Sequence, residues 1–300
     1  MRIITLIFIT FLLLINSCNE NLTGPEPPCF ICPLNSGLTD FDPAWSPDGQ
    51  TIAYIHGDTI KGNSGIYFIN RDGSGNKLFF SNGKANSPCW SPDGNWLAFE
   101  MSGNIHKIKI NGDSLTQLTF EGRNFFPTWS PDGEWIAYDS NNDSPNGMNF
   151  IWKMKADGTQ KRRIAYEPSS GEIRMPNWSN NNKIVHHRYV GVGAPEIFSM
   201  VSNGINSNRL TFDHNFDIFP KYSPDGTMIA FSSQPSNGGF YQIWVMDSDG
   251  KNLKKLTTTQ GYNCDWSPDG EYIVYTDSRA ENGHLWIMNK YGSNKHQLTF

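Results

Sequence analysis

The sequence predicts an all-β fold: a six-bladed β-propeller with four antiparallel strands in each blade. Three observations lead there. The string Trp-Ser-Pro-Asp-Gly stands at Trp45–Gly49, Trp90–Gly94, Trp129–Gly133 and Trp266–Gly270, with Tyr222–Gly226 as a variant and Trp178-Ser179-Asn180-Asn181-Asn182 as a degraded copy. The first residues of these copies lie 45, 39, 49, 44 and 44 residues apart, a period that signals a repeat architecture. Short runs of aromatic and β-branched residues, bounded by Gly, Asn, Asp and Pro, fill the spaces between, and no segment keeps a helical period.

Taken in order, the chain opens with Arg2 and an apolar or Thr run of 13 residues, Ile3 to Ile15. That run is too short to span a bilayer as a helix and suits a secretory signal. The string Leu14-Ile15-Asn16-Ser17-Cys18 resembles a bacterial lipobox, which implies cleavage before Cys18 and lipidation of its thiol. An ordinary signal cut nearby, or an uncleaved anchor, competes with that reading. Residues 1–17 are therefore expected to be the signal and 18–40 a tether. The polar, Pro-containing stretch after Cys18 cannot bury enough apolar surface to fold alone. Cys29 and Cys32 close the tether; with no second ligand pair at metal spacing, a local disulfide in an oxidising compartment is the expectation, with free thiols next.

Residues 41–300 read as the repeat array. In each unit a first strand ends at the Trp. Ser-Pro-Asp-Gly then makes a tight corner: Pro pre-sets the backbone, Asp bonds back to it, and Gly takes the conformation other residues avoid. A second strand follows, as in Ile52-Ala53-Tyr54 or Ile273-Val274-Tyr275. The third carries Ile66-Tyr67-Phe68-Ile69, Ile243-Trp244-Val245-Met246 and their counterparts, and leads to a turn containing Gly73, Gly112, Gly158, Gly204, Gly250 or Gly292. The fourth is expected at Leu78-Phe79, Leu118-Thr119, Ile164-Ala165, Leu210-Thr211, Leu256-Thr257 and Leu298-Thr299. Strands apolar on both faces suit a ring in which each blade packs against two neighbours. Gly37-Leu38-Thr39 imitates a fourth strand ahead of the first blade and is expected to close the ring as an edge strand of the last.

The unit Pro-x-Trp-Ser-Pro-Asp-Gly, then Ile-Ala-Phe/Tyr, Ile-Trp-x-Met, Asp-Gly and Leu-Thr resembles the TolB-type propeller repeat over about 260 residues. TolB itself, as the resemblance has it, carries an α/β domain before its propeller and is not lipidated. The expectation is thus a TolB-like propeller lipoprotein without TolB's role in the Tol–Pal system.

Removing residues 1–17 leaves 23 basic and 29 acidic side chains, a net charge of −6, with no basic stripe; nucleic acid is not an expected partner. Neither Gly-x-Ser-x-Gly nor His-Glu-x-x-His occurs. Prolyl-oligopeptidase relatives share such propellers but need a hydrolase domain, and the repeats here run to Phe300. Oligogalacturonate lyases resemble this chain too, and that resemblance implies a metal held by several His in the channel. Here His56, His186 and His187 fall on second strands, His106 and His284 on third strands, His296 on a fourth, and His214 in a loop. No metal, cofactor or catalytic residue is expected. Cys89 and Cys264, in blades separated by blade 1, are expected as buried free thiols.

The expected function is a membrane-tethered, non-catalytic module that binds a protein or peptide segment in the bacterial cell envelope. It would sit on the outer membrane facing the periplasm, or on the cell surface. The alternative is a carbohydrate-active, lyase-like or other small-substrate enzyme using the channel mouth. Corners and Gly turns share one face of the ring. The second-to-third-strand loops and blade-to-blade loops share the other, and they vary, as binding loops do. On that face the candidate binding residues are Asp40, Asp42, Glu121, Arg123, Phe125, Glu172, Arg174, Asp213, His214, Phe216, Asp217 and Tyr262, with Phe126 and Phe219 interleaved. They read as an acidic, aromatic mouth for a segment with basic residues, and equally as a solvated rim around a channel plug.

Overall fold

In every intact corner the same small network forms. Ser91 Oγ donates to Asp93 Oδ1 at 2.5 Å, the same oxygen accepts the Asn95 N–H at 3.0 Å, and Ser91 Oγ accepts the Trp96 N–H at 2.9 Å. The corners at Ser46, Ser130, Ser223 and Ser267 repeat it. Serine and aspartate thus satisfy backbone groups that a tight turn leaves open. In the degraded copy Asn180 replaces Pro and Asn181 replaces Asp, and the weaker link from the Lys183 N–H to Ser179 Oγ, at 3.2 Å, remains.

The computed structural model describes residues 38–58, 62–165, 171–191, 193–280 and 282–300. The readings of residues 1–17, Cys18, Cys29 and Cys32 lie outside the described residues. No helix occurs among the described residues. Blade 1 holds β1 (Leu38–Trp45), β2 (Thr51–Asp58), β3 (Gly65–Asn70) and β4 (Lys77–Phe80). Blade 2 holds β5 (Ala85–Trp90), β6 (Trp96–Met101), β7 (Asn104–Lys109) and β8 (Thr116–Gln117); blade 3 holds β9 (Asn124–Trp129), β10 (Trp135–Ser140), β11 (Phe150–Lys155) and β12 (Arg162–Arg163). Blade 4 comprises β13 (Ile173–Trp178), β14 (Lys183–Tyr189), β15 (Pro195–Val201) and β16 (Asn208–Arg209). Blade 5 comprises β17 (Phe216–Tyr222), β18 (Met228–Gln234), β19 (Gln242–Asp247) and β20 (Lys254–Lys255), and blade 6 β21 (Tyr262–Trp266), β22 (Tyr272–Ala280), β23 (Asn282–Asn289) and β24 (His296–Gln297). Within each blade consecutive strands pair antiparallel. Each inner strand touches the next, and β21 touches β1, so the ring is closed.

The core is six interblade layers. One joins Ala230, Ile243 and Val245 of blade 5 to Trp266, Ile273, Tyr275 and Met288 of blade 6; the others repeat the arrangement around the ring. Each blade therefore buries its apolar faces only against its neighbours. Trp indoles stitch the seams: the Nε1–H of Trp90, Trp129 and Trp266 donates to the carbonyl of Ala44, Cys89 and Lys221 in the preceding blade, at 3.1, 3.2 and 3.2 Å.

The fourth strands differ from expectation. In blades 2 to 6 the ladder lies on the two residues before the Leu-Thr-like pair, not on the pair. A threonine accompanies the shift in blades 2, 4, 5 and 6, and blade 3 shows the same shift with Ala165 in that place. The threonine hydroxyl, and not a ladder carbonyl, accepts an N–H near the start of the third strand: Ile105 to Thr119, Ile197 to Thr211, Ile243 to Thr257 and Leu285 to Thr299, at 2.8 to 3.0 Å. Glycine in the preceding turn has a packing reason as well as a left-handed one. At Gly250 (φ +86°) a Cβ would stand 2.8 Å from the carbonyl oxygen of Leu210 in the preceding blade.

Ring closure also differs. Strand β1 begins at Leu38, within the segment read as tether, and blade 6 has its own outer strand in β24. Thr39 pairs in parallel with Gly283 on β23 while pairing antiparallel with Gly57 on β2, so the residues expected to form an outer edge instead bridge the two blades. The Trp45 N–H reinforces the seam by donating to Asp265 Oδ2 at 2.8 Å.

Candidate functional site

Every inner strand breaks register two residues before its terminal Trp or Tyr, as between Phe41 and Ala44 in β1 and between Ile218 and Lys221 in β17. Pro43, Pro88, Pro127, Pro176 and Pro220 stand at the break and have no N–H to give the ladder; Cys264 takes that place in blade 6. The residue before each has a positive φ, from 46° to 56°: Asp42, Ser87, Phe126, Met175, Phe219 and Asn263. These six, one per blade, line the central channel with the prolines and Lys221.

The channel has two chemically distinct sides. Asp42 accepts from the Ser87 N–H at 2.9 Å, from Ser87 Oγ at 3.0 Å, and from Asn263 Nδ2. Burial pushes the Asp42 pKa up, against these hydrogen bonds and the nearby Lys221 charge. Opposite, Phe126 and Phe219 meet edge to face at 5.9 Å beside the buried Met175. About 40 Å³ of space is left, room for one or two waters and not for a sugar chain.

Asp40 is buried where blade 6 meets blade 1. Its Oδ1 is 2.7 Å from His56 Nδ1, and His284 Nδ1 stands 3.8 Å from Oδ2, within ion-pair range but too far for a hydrogen bond. Burial alone would raise its pKa; contact with His284, His56 and Thr299 holds it below the ordinary carboxylate value, and the bond to Asp40 raises that of His56. Sequence reading put these histidines on separate strands and did not foresee that both turn towards one carboxylate.

Arg174 is mostly buried. Its Nε donates to Asp139 Oδ2 at 2.9 Å, Glu172 Oε2 is 3.9 Å from Nη1, and the guanidinium lies 5.6 and 5.8 Å from the Phe125 and Phe126 rings. Burial lifts the Asp139 pKa to about 6, with Arg174 opposing. Glu172 also accepts from the Asn149 N–H and Nδ2, at 3.2 and 3.1 Å, tying the end of the long loop before β11 to blade 4.

Asp217, also expected at the mouth, is 0 % exposed, and neither of its oxygens has a hydrogen-bond donor; the Ser233 and Thr211 hydroxyls stand near without completing a bond. Burial lifts its pKa to about 7, and Asp213 and Glu196 add to the rise. Asp40, Asp42 and Asp217 are thus interior groups and not surface charges, because inner strands turn these side chains between blades or into the channel. Glu121, Asp213 and His214 are exposed; Arg123, Phe125, Glu172, Phe216 and Tyr262 are half-buried. Arg123 is held through its backbone, whose N–H donates to Asn141 Oδ1 at 2.7 Å.

Three exposed aromatics on the same face were not among the candidates. Phe120, Phe212 and Phe300 are 72 %, 66 % and 92 % exposed, each directly after a Leu-Thr pair, in blades 2, 4 and 6. The tripeptide Leu-Thr-Phe, three times over, was the available signal. Phe240, on the loop between β18 and β19, adds a fourth exposed ring to this face.

Among the described residues, the single group of three metal-capable side chains is Glu196, Asp213 and Asp217, and it contains no histidine. Cys89 and Cys264 are free; Cys264 is fully buried, its thiol pushed up to about 12 by burial, whereas Cys89 is only partly covered.

A family model described as the TolB beta propeller domain matches residues 34–189 and 170–300. The chain belongs to the TolB β-propeller family. It is 28% identical over 215 residues to the uncharacterized protein Atu1656 of Agrobacterium fabrum, covering 65% of this chain and 66% of that protein. It is 25% identical over 151 residues to the Tol-Pal system protein TolB of Anaeromyxobacter dehalogenans, covering 49% of this chain and 34% of that one. The crystal structure of TolB from Acinetobacter baumannii superposes with a TM-score of 0.70 at 24% identity, over 88% of this chain and 64% of that one. This TolB-family chain thus spans about two thirds of the first relative's length and about a third of the second's.

Proposed function

We propose that this TolB-family propeller is a protein-binding module of the bacterial cell envelope, lipid-anchored through Cys18, with residues 18–37 as its tether. The loop face is its binding surface. The observation that carries the reading is the contrast between the two ends of the ring. Corners on one face are short, uniform and internally bonded, and the Gly turns beside them expose one aromatic, Tyr291, whereas the loops on the other vary and present Phe120, Phe212, Phe240 and Phe300 to solvent. Exposed rings beside polar groups are what protein interfaces favour. Glu121 and Asp213 beside them suit a segment carrying basic residues. A filled channel favours a partner that lies across the mouth over a substrate threaded through it. A Tol-Pal system protein among the relatives supports an envelope setting.

The test is capture of envelope proteins by the membrane-anchored chain after crosslinking in intact cells. A Phe120→Ala/Phe212→Ala double variant should lose the captured partner with its melting temperature unchanged, since both rings are exposed. Asp93→Ala, on the corner face, should lower stability and leave capture intact. The same loss from both faces would sink the reading. Anchoring is tested separately: Cys18→Ala should leave an unprocessed or soluble form, and a processed Cys18→Ala protein that still fractionates with membranes would refute lipidation there.

A further inference from the structure

The same slot recurs at two seams of the ring with opposite contents. It is walled by a residue five places before the terminal aromatic of one inner strand, that residue's partner on the second strand, and a side chain near the start of the preceding blade's third strand. At the seam between blades 6 and 1 these are Asp40, His56 and His284. At the seam between blades 4 and 5 they are Asp217, Ser233 and Glu196. One carboxylate faced by two imidazoles has become two carboxylates faced by a hydroxyl. Asp213, on the loop between the blades, brings a third carboxylate, and oxygens of all three lie within 4.8 Å of one another.

We propose that Glu196, Asp213 and Asp217 form a calcium site at this seam. Asp217 is the independent sign: it is fully buried, and both of its oxygens lack a donor. Buried carboxylates are rarely left so, because nothing replaces the water they have lost. Glu196 is better provided for. Arg209 Nη2 lies 2.7 Å from its Oε1, the Thr211 hydroxyl donates to its Oε2 at 2.7 Å, and the His214 N–H reaches Oε1 at 3.3 Å. Three carboxylates against the Arg209 guanidinium leave a formal −2 (−3 + 1), the charge one divalent cation cancels. The donors are all oxygen, with no imidazole or thiolate, which selects a hard cation over zinc or copper. Calcium binds oxygen at 2.3–2.6 Å in irregular shells, so ligands across it stand about 5 Å apart, a span that accommodates this trio. Magnesium asks for shorter bonds and a near-ideal octahedron. Asp213, exposed on its loop, provides the way in from solvent.

The experiment is calorimetric titration of the chelator-treated full chain in detergent with CaCl2, MgCl2 or ZnCl2, with thermal unfolding in parallel. Calcium should bind as a single class of site and raise the melting temperature. Asp213→Asn, a surface change that leaves folding intact, should weaken binding by about tenfold or more, since ligand charge tunes calcium affinity. Asp217→Asn should abolish the calcium response and raise the melting temperature of the cation-free protein, because the amide removes a buried charge. The proposal is overturned if calcium gives neither heat nor a thermal shift at about 5 mM, above the range of weak extracellular sites. It is also overturned if both variants respond as the parent does, or if magnesium or zinc binds as well as calcium. The competing arrangement, a proton held between Asp217 and Glu196, predicts the first of these failures.

Discussion

At the residue scale, the interior of blade 4 sets a pH response. His186 is buried and stacks nearly parallel on Phe198 at 5.9 Å, and burial drives its pKa down to about 4. His187 beside it is depressed for the same reason, with Arg174 adding to the effect. Both are neutral in the fold at pH values where the unfolded chain, near the ordinary 6.5, has taken up a proton. Through these two histidines the unfolded state binds more protons between about pH 4 and 6.5, so they make stability rise with pH across that window, while Asp139 and Asp217, whose raised pKa values keep a proton that the unfolded chain has released, oppose the rise. His56 has the opposite sign. Its raised pKa stabilises the fold below about 6.5 and is lost as pH climbs through the folded value, so the two effects pull against each other. His186→Phe, which keeps the stacked ring and removes the titrating group, should make the slope of melting temperature against pH less positive than the parent's between pH 4.5 and 6.5, a window that follows from linkage at roughly these pKa values. An unchanged slope would mean that His186 is not neutral inside the fold. None of these environments was legible beforehand. The strand position of each histidine could be read from the repeat, but its partners come from other strands and other blades.

At the scale of elements, the repeat was legible because each part of it has a local physical cause. Ser-Pro-Asp-Gly closes its own corner through contacts two to five residues away, so the motif and the geometry are the same fact. Glycine in the later turn marks both a left-handed backbone and the close approach of a neighbouring blade. The bulge in five of the six inner strands was written in the sequence as Pro-x-Trp or Pro-x-Tyr, yet it was read only as part of a signature. A missing N–H at proline shows why the ladder must skip there, and the residue before it is the one aimed into the channel. Fourth strands of blades 2 to 6 were misplaced by two residues, whereas that of blade 1 holds the expected Leu78-Phe79; in four of the five the threonine hydroxyl does the work of a ladder carbonyl. Of the candidate mouth residues, acidic character alone could not separate Asp213, which is exposed, from Asp217, which is not. Four residues of chain, leading from the loop into β17, decide that difference.

At the scale of the molecule, closure and filling are what make one face a platform. β1 bridges to blade 6 through Thr39 and Gly283, and on the corner side Arg71 reaches Asp269 at 3.5 Å while lying 4.1 Å over the Tyr272 ring. A ring so tied has no free sheet edge at its seam. With Phe126, Met175 and Phe219 on one side of the channel and the Asp42 network on the other, the centre is rigid filler, and the surface available to a partner is the rim. The most direct test of that claim places a photo-crosslinking side chain, by turns, at Phe120, Phe212 and Phe300 on the loop face and at Asp93 and Asn111 on the corner face, in cells that express the full chain. The account predicts a discrete protein adduct from the loop-face positions and none from the corner face. Adducts of equal yield from both faces, or from the corner face alone, would contradict it.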